Sequence, residues 1–152
     1  MIKKDIELLL NNLRDVYNSV DDDVKKIIHL SFRNILYMIS ESRPSDFISN
    51  AANDIWIKSG ISGDLHNLLV TRKRAIQKYY PELTNLVLEH CVPISELFFQ
   101  FMENNKSVKY VFNNLKTAWI TKNENIKLNK KYKSKRKNWK LCYAECGIEL
   151  EQ

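Results

Sequence analysis

We predict a mainly α fold from three observations: helical periodicity in most segments, a scarcity of turn-forming residues, and a change of pattern after the midpoint of the chain. Apolar residues recur at spacings of three and four, which is typical of amphipathic helices. The 152 residues include only 3 Gly and 3 Pro, which argues against a turn-rich all-β fold. At 44% hydrophobic and 28% charged, the chain can bury a core, and its length fits one domain.

The first half of the chain, residues 1–80, predicts a helical bundle. Its predicted helices cover residues 5–18, 21–41, 47–59 and 62–80. Ser19 is placed as the N-cap of the second helix, because its hydroxyl can accept hydrogen bonds from free amides of the first turn. Gly60 ends the third helix, and Pro81 stops the fourth.

The second half, residues 81–152, has a different pattern. Leu86–Pro93 is short, apolar and ends in proline, so it fits either a strand or the end of a helix. Residues 116–121 are β-branched and aromatic and predict a strand. Short helices are predicted at residues 95–102, 108–112, 123–131 and 139–146. This half therefore combines a small two-stranded β element with a following helix, a ββα-like arrangement, and we expect it to pack with the first half as one domain.

The positive charge is concentrated in the C-terminal third. Of 24 lysines and arginines, twelve lie between Lys106 and Lys140, where Glu124 is the only acid. That segment carries a net charge of +11, and the remaining residues carry −5 of the total of +6. Such asymmetry indicates a polyanionic partner, because the binding of lysines to phosphates releases condensed counterions.

The basic third also contains aromatic residues, which nucleic-acid-binding proteins use to stack on bases. We predict contacts to nucleic acid, DNA or RNA, from basic side chains and from three aromatic rings. The basic residues are Lys122, Lys127, Lys130, Lys131, Lys133, Lys135, Arg136 and Lys137, and the aromatic ones are Trp119, Tyr132 and Trp139. The alternative is a solvated lysine-rich surface whose aromatic residues belong to the core.

A second signal is the string Glu89-His90 followed by Val92-Pro93, together with the segment from residue 114 to residue 130. It contains an acid–histidine pair before a proline, then an asparagine before a strand, then a helix with asparagines and lysines. Taken together, residues 89–130 resemble the two halves of an HNH nuclease motif.

The resemblance implies metal-dependent cleavage of phosphodiester bonds. His90 takes the position of the general base that activates water, Glu89 that of the acidic metal ligand, and Asn114 that of the asparagine that holds the loop. Asn125 or Asn129 takes the helix position that completes the site for a divalent cation, Mg²⁺ or Mn²⁺. The alternative for Glu89-His90 is a junction between two elements, at which the histidine hydrogen-bonds locally.

Three hypotheses of function follow from these patterns. The first is a small metal-dependent nuclease, the second is a non-catalytic nucleic-acid-binding protein, and the third is a small phage or plasmid protein that binds a host protein through its helical half. The first two share action on nucleic acid through the basic third, which is the function we predict. No apolar run nears the roughly 20 residues that span a bilayer, and the N-terminus lacks the pattern of a signal peptide. We therefore expect a cytoplasmic protein without a membrane partner.

Overall fold

Helices dominate the computed structural model, which describes residues 2–151 and the side chains of residues 4–151. The helices are α1 Ile2–Tyr17, α2 Asp22–Glu41, α3 Asn50–Ser59, α4 Val70–Ile76, α5 Ile94–Met102, α6 Val108–Asn114, α7 Lys122–Tyr132 and α8 Trp139–Glu145. The strands are β1 Phe47–Ser49, β2 Leu86–His90, β3 Thr117–Thr121 and β4 Leu150–Glu151. The prediction of a mainly α fold is confirmed. None of the helices described has both the length and the apolarity needed to cross a bilayer.

The start of α2 is set by an aspartate rather than by the predicted serine. The Asp21 carboxylate accepts hydrogen bonds from the amides of Asp23 and Val24. Ser19 instead donates its hydroxyl hydrogen to the Val16 carbonyl at the end of α1. An aspartate satisfies free amides of the first turn and adds a favourable negative charge there. The N-cap of α2 is therefore Asp21, and the prediction of Ser19 is wrong.

The prediction of a helix from residue 47 is wrong for its first three residues, which form β1. Phe47 and Ile48 pair with the strand β3. Ser49 accepts a hydrogen bond from the Ala52 amide and caps α3, so the helix begins at Asn50. A strand of three residues is too short for periodicity to distinguish it from a helix.

The four strands form one mixed sheet in the order β2–β3–β1–β4. β2 and β3 are antiparallel, with His90 opposite Thr117 and Leu86 opposite Thr121. β1 is parallel to β3, and β4 pairs antiparallel with β1. The predicted two-stranded element is thus part of a larger sheet, to which both halves of the chain contribute. β2 lies at one edge, so one side of its backbone has no neighbouring strand among residues 2–151.

The strand β3 carries the centre of the core. Trp119 packs on one face of the sheet with Trp56 and other apolar residues, whereas Ile120 packs on the opposite face. Successive side chains of a strand alternate in this way. A third apolar cluster, which includes Phe32 and Phe101, fills the space between α1, α2, α5 and α6.

The helix α7 follows β3 directly, and a capping box holds its start. The Thr121 hydroxyl accepts a hydrogen bond from the Glu124 amide, and the Glu124 carboxylate accepts one from the Thr121 amide at 2.7 Å. The same carboxylate oxygen accepts a hydrogen bond from Oγ of Ser49 at 2.7 Å. These bonds tie the start of α7 to the end of β1, while α7 packs against β2 and β3.

Ser49→Ala is expected to lower the free energy of unfolding by about 2 kcal/mol, because it removes the cap of α3 and one donor to the buried Glu124 carboxylate. Ser19→Ala removes an exposed hydroxyl and is the matched control, with an expected change below about 0.5 kcal/mol. Urea denaturation of the two variants and the wild type measures both effects. Equal losses in the two variants would contradict a special contribution of Ser49.

Candidate functional site

A groove lies between α2 and the edge strand β2. It consists of two clefts that share the side chains of Tyr37 and His90. The first, which we call the loop cleft, has a volume of about 480 Å³ and lies beside the segment between α7 and α8. Its other polar side chains include His29, Arg33, Glu89, Asn129, Lys133 and Arg136. The second, the α4 cleft, has a volume of about 430 Å³, and its other polar side chains are Glu41, Lys73, Arg74, Gln77, Thr84 and Lys122.

His90 ends β2 and is buried where the two clefts meet. Its Nε2 lies 3.0 Å from Oγ of Ser40. Ser40 donates its own hydroxyl hydrogen to the Leu36 carbonyl at 2.7 Å, so Nε2 carries a hydrogen and donates it to Ser40. Nδ1 is therefore the ring nitrogen that retains an accepting lone pair.

The surroundings of His90 keep its ring neutral. Burial, followed by smaller contributions from the positive charges of Arg43 and Arg136, lowers the pKa of His90 to about 4. The ring of Tyr37 makes an edge contact with the imidazole, with 4.9 Å between the ring centroids. His90 thus presents an uncharged, fixed imidazole to the groove at pH 7.

Glu89, the residue before His90, is paired with an arginine that lies 47 residues later in the chain. Nη1 of Arg136 lies 2.6 Å from Oε1 of Glu89 and also donates to the His90 carbonyl at 3.1 Å. Nη2 of Arg136 donates to Oδ1 of Asn129 at 3.0 Å. Arg136 is 3% exposed, and its guanidinium is already hydrogen-bonded to three groups of the protein, while its contact with phosphate stays a prediction.

The structure brings Glu89, Asn125 and Asn129 together, but with a guanidinium among them. Arg136 donates to Glu89 and Asn129, and the Asn129 amide donates to Oδ1 of Asn125 at 3.0 Å. In the part of the chain that the structure describes, no three His, Cys, Asp or Glu side chains are grouped closely enough to hold a metal ion. A divalent cation would compete for these oxygens and would be repelled by the guanidinium. As arranged, these residues do not fit Mg²⁺ or Mn²⁺.

Asn114 does not line the groove. It is the last residue of α6, and its amide nitrogen donates to the Tyr110 carbonyl of the same helix at 2.9 Å. The backbone after His90 is held instead by a hydrogen bond from the Cys91 amide to the Lys116 carbonyl at 2.8 Å. Asn114 therefore lies apart from the groove, and its role in holding the loop stays a prediction.

Two of the predicted stacking residues pack inside the protein. Trp119 is 1% exposed, and its Nε1 donates to the Leu68 carbonyl at 3.2 Å. Its ring packs in the core with Trp56, and its stacking on a base stays a prediction. Trp139 is half-buried, and its ring packs against the rings of Phe47 and Tyr143.

The predicted lysines are all exposed, but most lie away from the groove. They are Lys122, Lys127, Lys130, Lys131, Lys133, Lys135 and Lys137. Among them, only Lys122 and Lys133 line one of the two clefts. Lys131 and the hydroxyl of Tyr132 both bond to the Glu145 carboxylate on α8, which partly neutralises this end of α7.

The groove includes three cations that the sequence analysis did not single out: Arg33 on α2, and Lys73 and Arg74 on α4. The only sequence signal for the α4 pair is the basic run Arg72-Lys73-Arg74, which lies outside the basic third. Arg33 has no such signal, because a single cation in an amphipathic pattern is typical of an exposed helix face.

Comparison with known proteins adds no assignment: no protein-family model, curated protein or solved structure matches this chain. The resemblance of residues 89–130 to HNH nucleases stays a prediction.

The hypothesis that the helical half binds a protein partner also stays a prediction. The observation relevant to it is a set of large apolar side chains that α1 and α2 leave exposed to solvent. They are Leu8, Leu9, Val16, Ile27, Leu30 and Met38. Nothing in the structure shows what covers them.

The stability of the protein at acidic pH tests the burial of His90. The pKa of His90 is about 4 in the folded protein and about 6.5 in an unfolded chain. Between these values the unfolded chain binds a proton that the folded protein does not, so the free energy of unfolding falls as the pH falls. His90 is expected to contribute about 3 kcal/mol that is present above pH 6.5 and lost as the pH falls to 4.

The matched variant is His90→Gln, whose amide can still donate to Ser40 but does not titrate. Urea denaturation between pH 7.5 and pH 4 is expected to show a steeper loss of stability in the wild type than in the variant, by about 3 kcal/mol over the range. Parallel curves for the two proteins would contradict a neutral, buried His90.

Proposed function

We propose that the protein binds nucleic acid in the groove between α2 and β2. The observation that carries the proposal is the charge of the groove: its side chains include six cations and two carboxylates, a net charge of +4. Both carboxylates are paired, Glu41 with Arg74 at 3.6 Å and Glu89 with Arg136 at 2.6 Å. The remaining four cations form no salt bridge with any described residue, and they are Arg33, Lys73, Lys122 and Lys133.

Positive charge on the walls of a groove attracts a polyanion more strongly than the same charge on an open surface, because the low-dielectric walls focus the field. Lys133 supports this interpretation through its backbone. It ends α7 with φ +48° and ψ −120°, a conformation that residues other than glycine rarely adopt and that recurs at functional sites. The residue with this strained backbone, Lys133, is also one that lines the loop cleft.

The aromatic content of the groove favours a single strand over a duplex. Tyr37 is 36% exposed, lines both clefts, and has the Arg33 guanidinium 5.3 Å from its ring. An exposed ring beside cations supports binding of unpaired bases, which stack on aromatic faces while their phosphates contact basic side chains. Duplex bases are stacked on one another and do not offer a free face.

The charge of the groove can be reversed and compared with an equal change outside it. Arg33→Glu with Lys133→Glu is expected to weaken binding of a single-stranded oligonucleotide about 100-fold at low salt and to lower the salt slope by about 2, because two phosphate contacts become repulsive. Lys127→Glu with Lys130→Glu makes the same change in net charge on the exposed surface of α7. We expect that control to lose less than about fivefold in affinity, since its two lysines do not line either cleft of the groove.

Fluorescence anisotropy at several salt concentrations measures all three proteins. A loss in the α7 variant that equals the loss in the groove variant would assign the interface to the exposed lysines of the basic third. Wild-type protein that binds neither single strands nor duplexes would contradict the proposed function.

A second candidate function is cleavage of a phosphodiester bond within the same groove. The observation that favours it is the neutral imidazole of His90, whose Nε2 is occupied by Ser40 and whose Nδ1 retains a lone pair. The antiparallel pairing of β2 with β3 and the packing of α7 against both strands also support this proposal. In this proposal, Nδ1 accepts a proton from a water molecule as the water oxygen attacks phosphorus and the bond to the leaving oxygen breaks.

No step of this second proposal passes through a metal ion, because Arg136 already neutralises Glu89 and occupies the acceptor of Asn129. A low pKa keeps His90 in its basic form at neutral pH, at the expense of base strength. The positive charge of the groove would offset the charge that develops on the phosphoryl oxygens.

His90→Gln is expected to lower cleavage at least about 100-fold, the usual contribution of a general base, while oligonucleotide affinity stays within about threefold because the groove cations are retained. Gel assays of plasmid DNA, single-stranded DNA and RNA with Mg²⁺, Mn²⁺ or EDTA measure cleavage. We expect equal rates in the three conditions. Cleavage that survives in the variant would exclude His90 as the base, and a requirement for Mg²⁺ or Mn²⁺ would contradict a mechanism without a metal ion.

A further inference from the structure

The α4 cleft brings together three cations from two helices that are distant in the chain. Lys73 and Arg74 are consecutive residues on α4, and Lys122 is the first residue of α7. All three line one cavity of about 430 Å³. Like charges around one cleft repel one another unless an anion or a carboxylate compensates them.

The charges of this cleft are poorly compensated within the described residues. Arg74 has Glu41 at 3.6 Å, but no carboxylate forms a salt bridge with Lys73 or Lys122 there. Lys73 is half-buried, and its pKa is lowered by burial and then by the charges of Lys122 and Arg74. The cleft has a net charge of +2 from these residues, and their mutual repulsion would be relieved by a bound anion.

The remaining polar groups of the cleft fit an oxyanion. The amide of Gln77 lines it and can donate a hydrogen bond. Thr84 also lines it, although its hydroxyl hydrogen is donated to the Pro81 carbonyl at 2.6 Å. The Thr121 and Glu124 amides at the start of α7 do not add to the site, because the capping box already engages both. The cations themselves are therefore the main ligands.

We propose that the Lys73–Arg74–Lys122 cleft binds a phosphomonoester dianion, namely the terminal phosphate of a nucleic-acid strand. This inference rests on the proposed function, because the α4 cleft shares Tyr37 and His90 with the loop cleft and is one end of the same groove. A terminal monoester carries a charge close to −2 at neutral pH, whereas an internal diester carries −1. The net charge of +2 therefore favours the end of a strand over its interior.

The test compares three oligonucleotides of one sequence, with a 5′-phosphate, a 3′-phosphate or no terminal phosphate. Fluorescence anisotropy with wild-type protein is expected to show about tenfold tighter binding of one phosphorylated form, which is typical of a charge-assisted contact. Lys73→Gln with Lys122→Gln is expected to abolish that preference. Lys78→Gln, an exposed lysine just beyond α4 that does not line the cleft, is the control and is expected to retain it.

A second measurement does not depend on nucleic-acid binding. Inorganic phosphate at pH 7.5 is expected to raise Tm relative to chloride of equal ionic strength in the wild type and in Lys78→Gln, and not in the double variant. Without phosphate, the double variant is expected to have a Tm at least equal to that of the wild type, because the repulsion at Lys73 is removed. That result also verifies that the double variant folds.

The outcomes separate this inference from the proposed function. Equal affinity for the three oligonucleotides, or a preference that survives in the double variant, overturns the terminal-phosphate site even when nucleic acid binds. Failure of every oligonucleotide to bind, with a phosphate effect on Tm that depends on Lys73 and Lys122, supports the anion site and contradicts the nucleic-acid function. Absence of both effects overturns both.

Discussion

The buried carboxylate of Glu124 fixes the position of α7, which borders the groove, relative to the sheet. It is 8% exposed and accepts hydrogen bonds from the Thr121 amide, at the end of β3, and from the hydroxyl of Ser49, at the end of β1. A buried carboxylate is costly unless donors satisfy its oxygens, so shifts of β1 or of the start of α7 are disfavoured. Lys122 and Asn129 are carried by α7, and the geometry of both clefts therefore follows from this pairing.

Polar contacts join the elements around the groove, namely α2, β2 and the segment after α7. The bond between His90 and Ser40 joins β2 to α2, and Arg136 joins the segment after α7 to Glu89 and to the His90 carbonyl. Buried ion pairs contribute little net stability once desolvation is included, but removing one partner is strongly unfavourable. We infer that Arg136 selects one arrangement of these elements rather than increasing stability as such.

Two residues of the groove lie in environments that disfavour their charged forms. His90 is kept neutral by burial, which becomes unfavourable at acidic pH, and Lys73 is held near two other cations. Residues in unfavourable electrostatic environments are concentrated at functional sites, although structural networks also produce them. Here both residues line the same groove, together with the strained turn at Lys133. The coincidence supports the proposal that nucleic acid binds in the groove rather than at Lys127 and Lys130 of α7.

The long amphipathic helices could be predicted from the sequence, and the concentration of positive charge after Lys106 could be read from it directly. The strand at residues 116–121 could also be predicted, because its β-branched and aromatic residues form a local pattern that is typical of strands. The strand assignment of residues 47–49 depended on pairing with β3, more than 60 residues later in the chain, and three residues carry no period of their own.

Which side chains meet at the candidate site could not be predicted from the sequence, because these contacts depend on tertiary structure. Glu89 is a plausible metal ligand in the sequence, but its charge is satisfied by Arg136, 47 residues away. Trp119 is an aromatic residue in a basic segment, as expected of a residue that stacks on bases, but it is buried in the core. Lys73 and Lys122 lie on different helices, 49 residues apart in the chain. They line one cleft only because α4 and the start of α7 border it. Local patterns determine which residues can be helical, charged or buried, whereas the partners of a charged side chain depend on long-range packing that no local pattern contains.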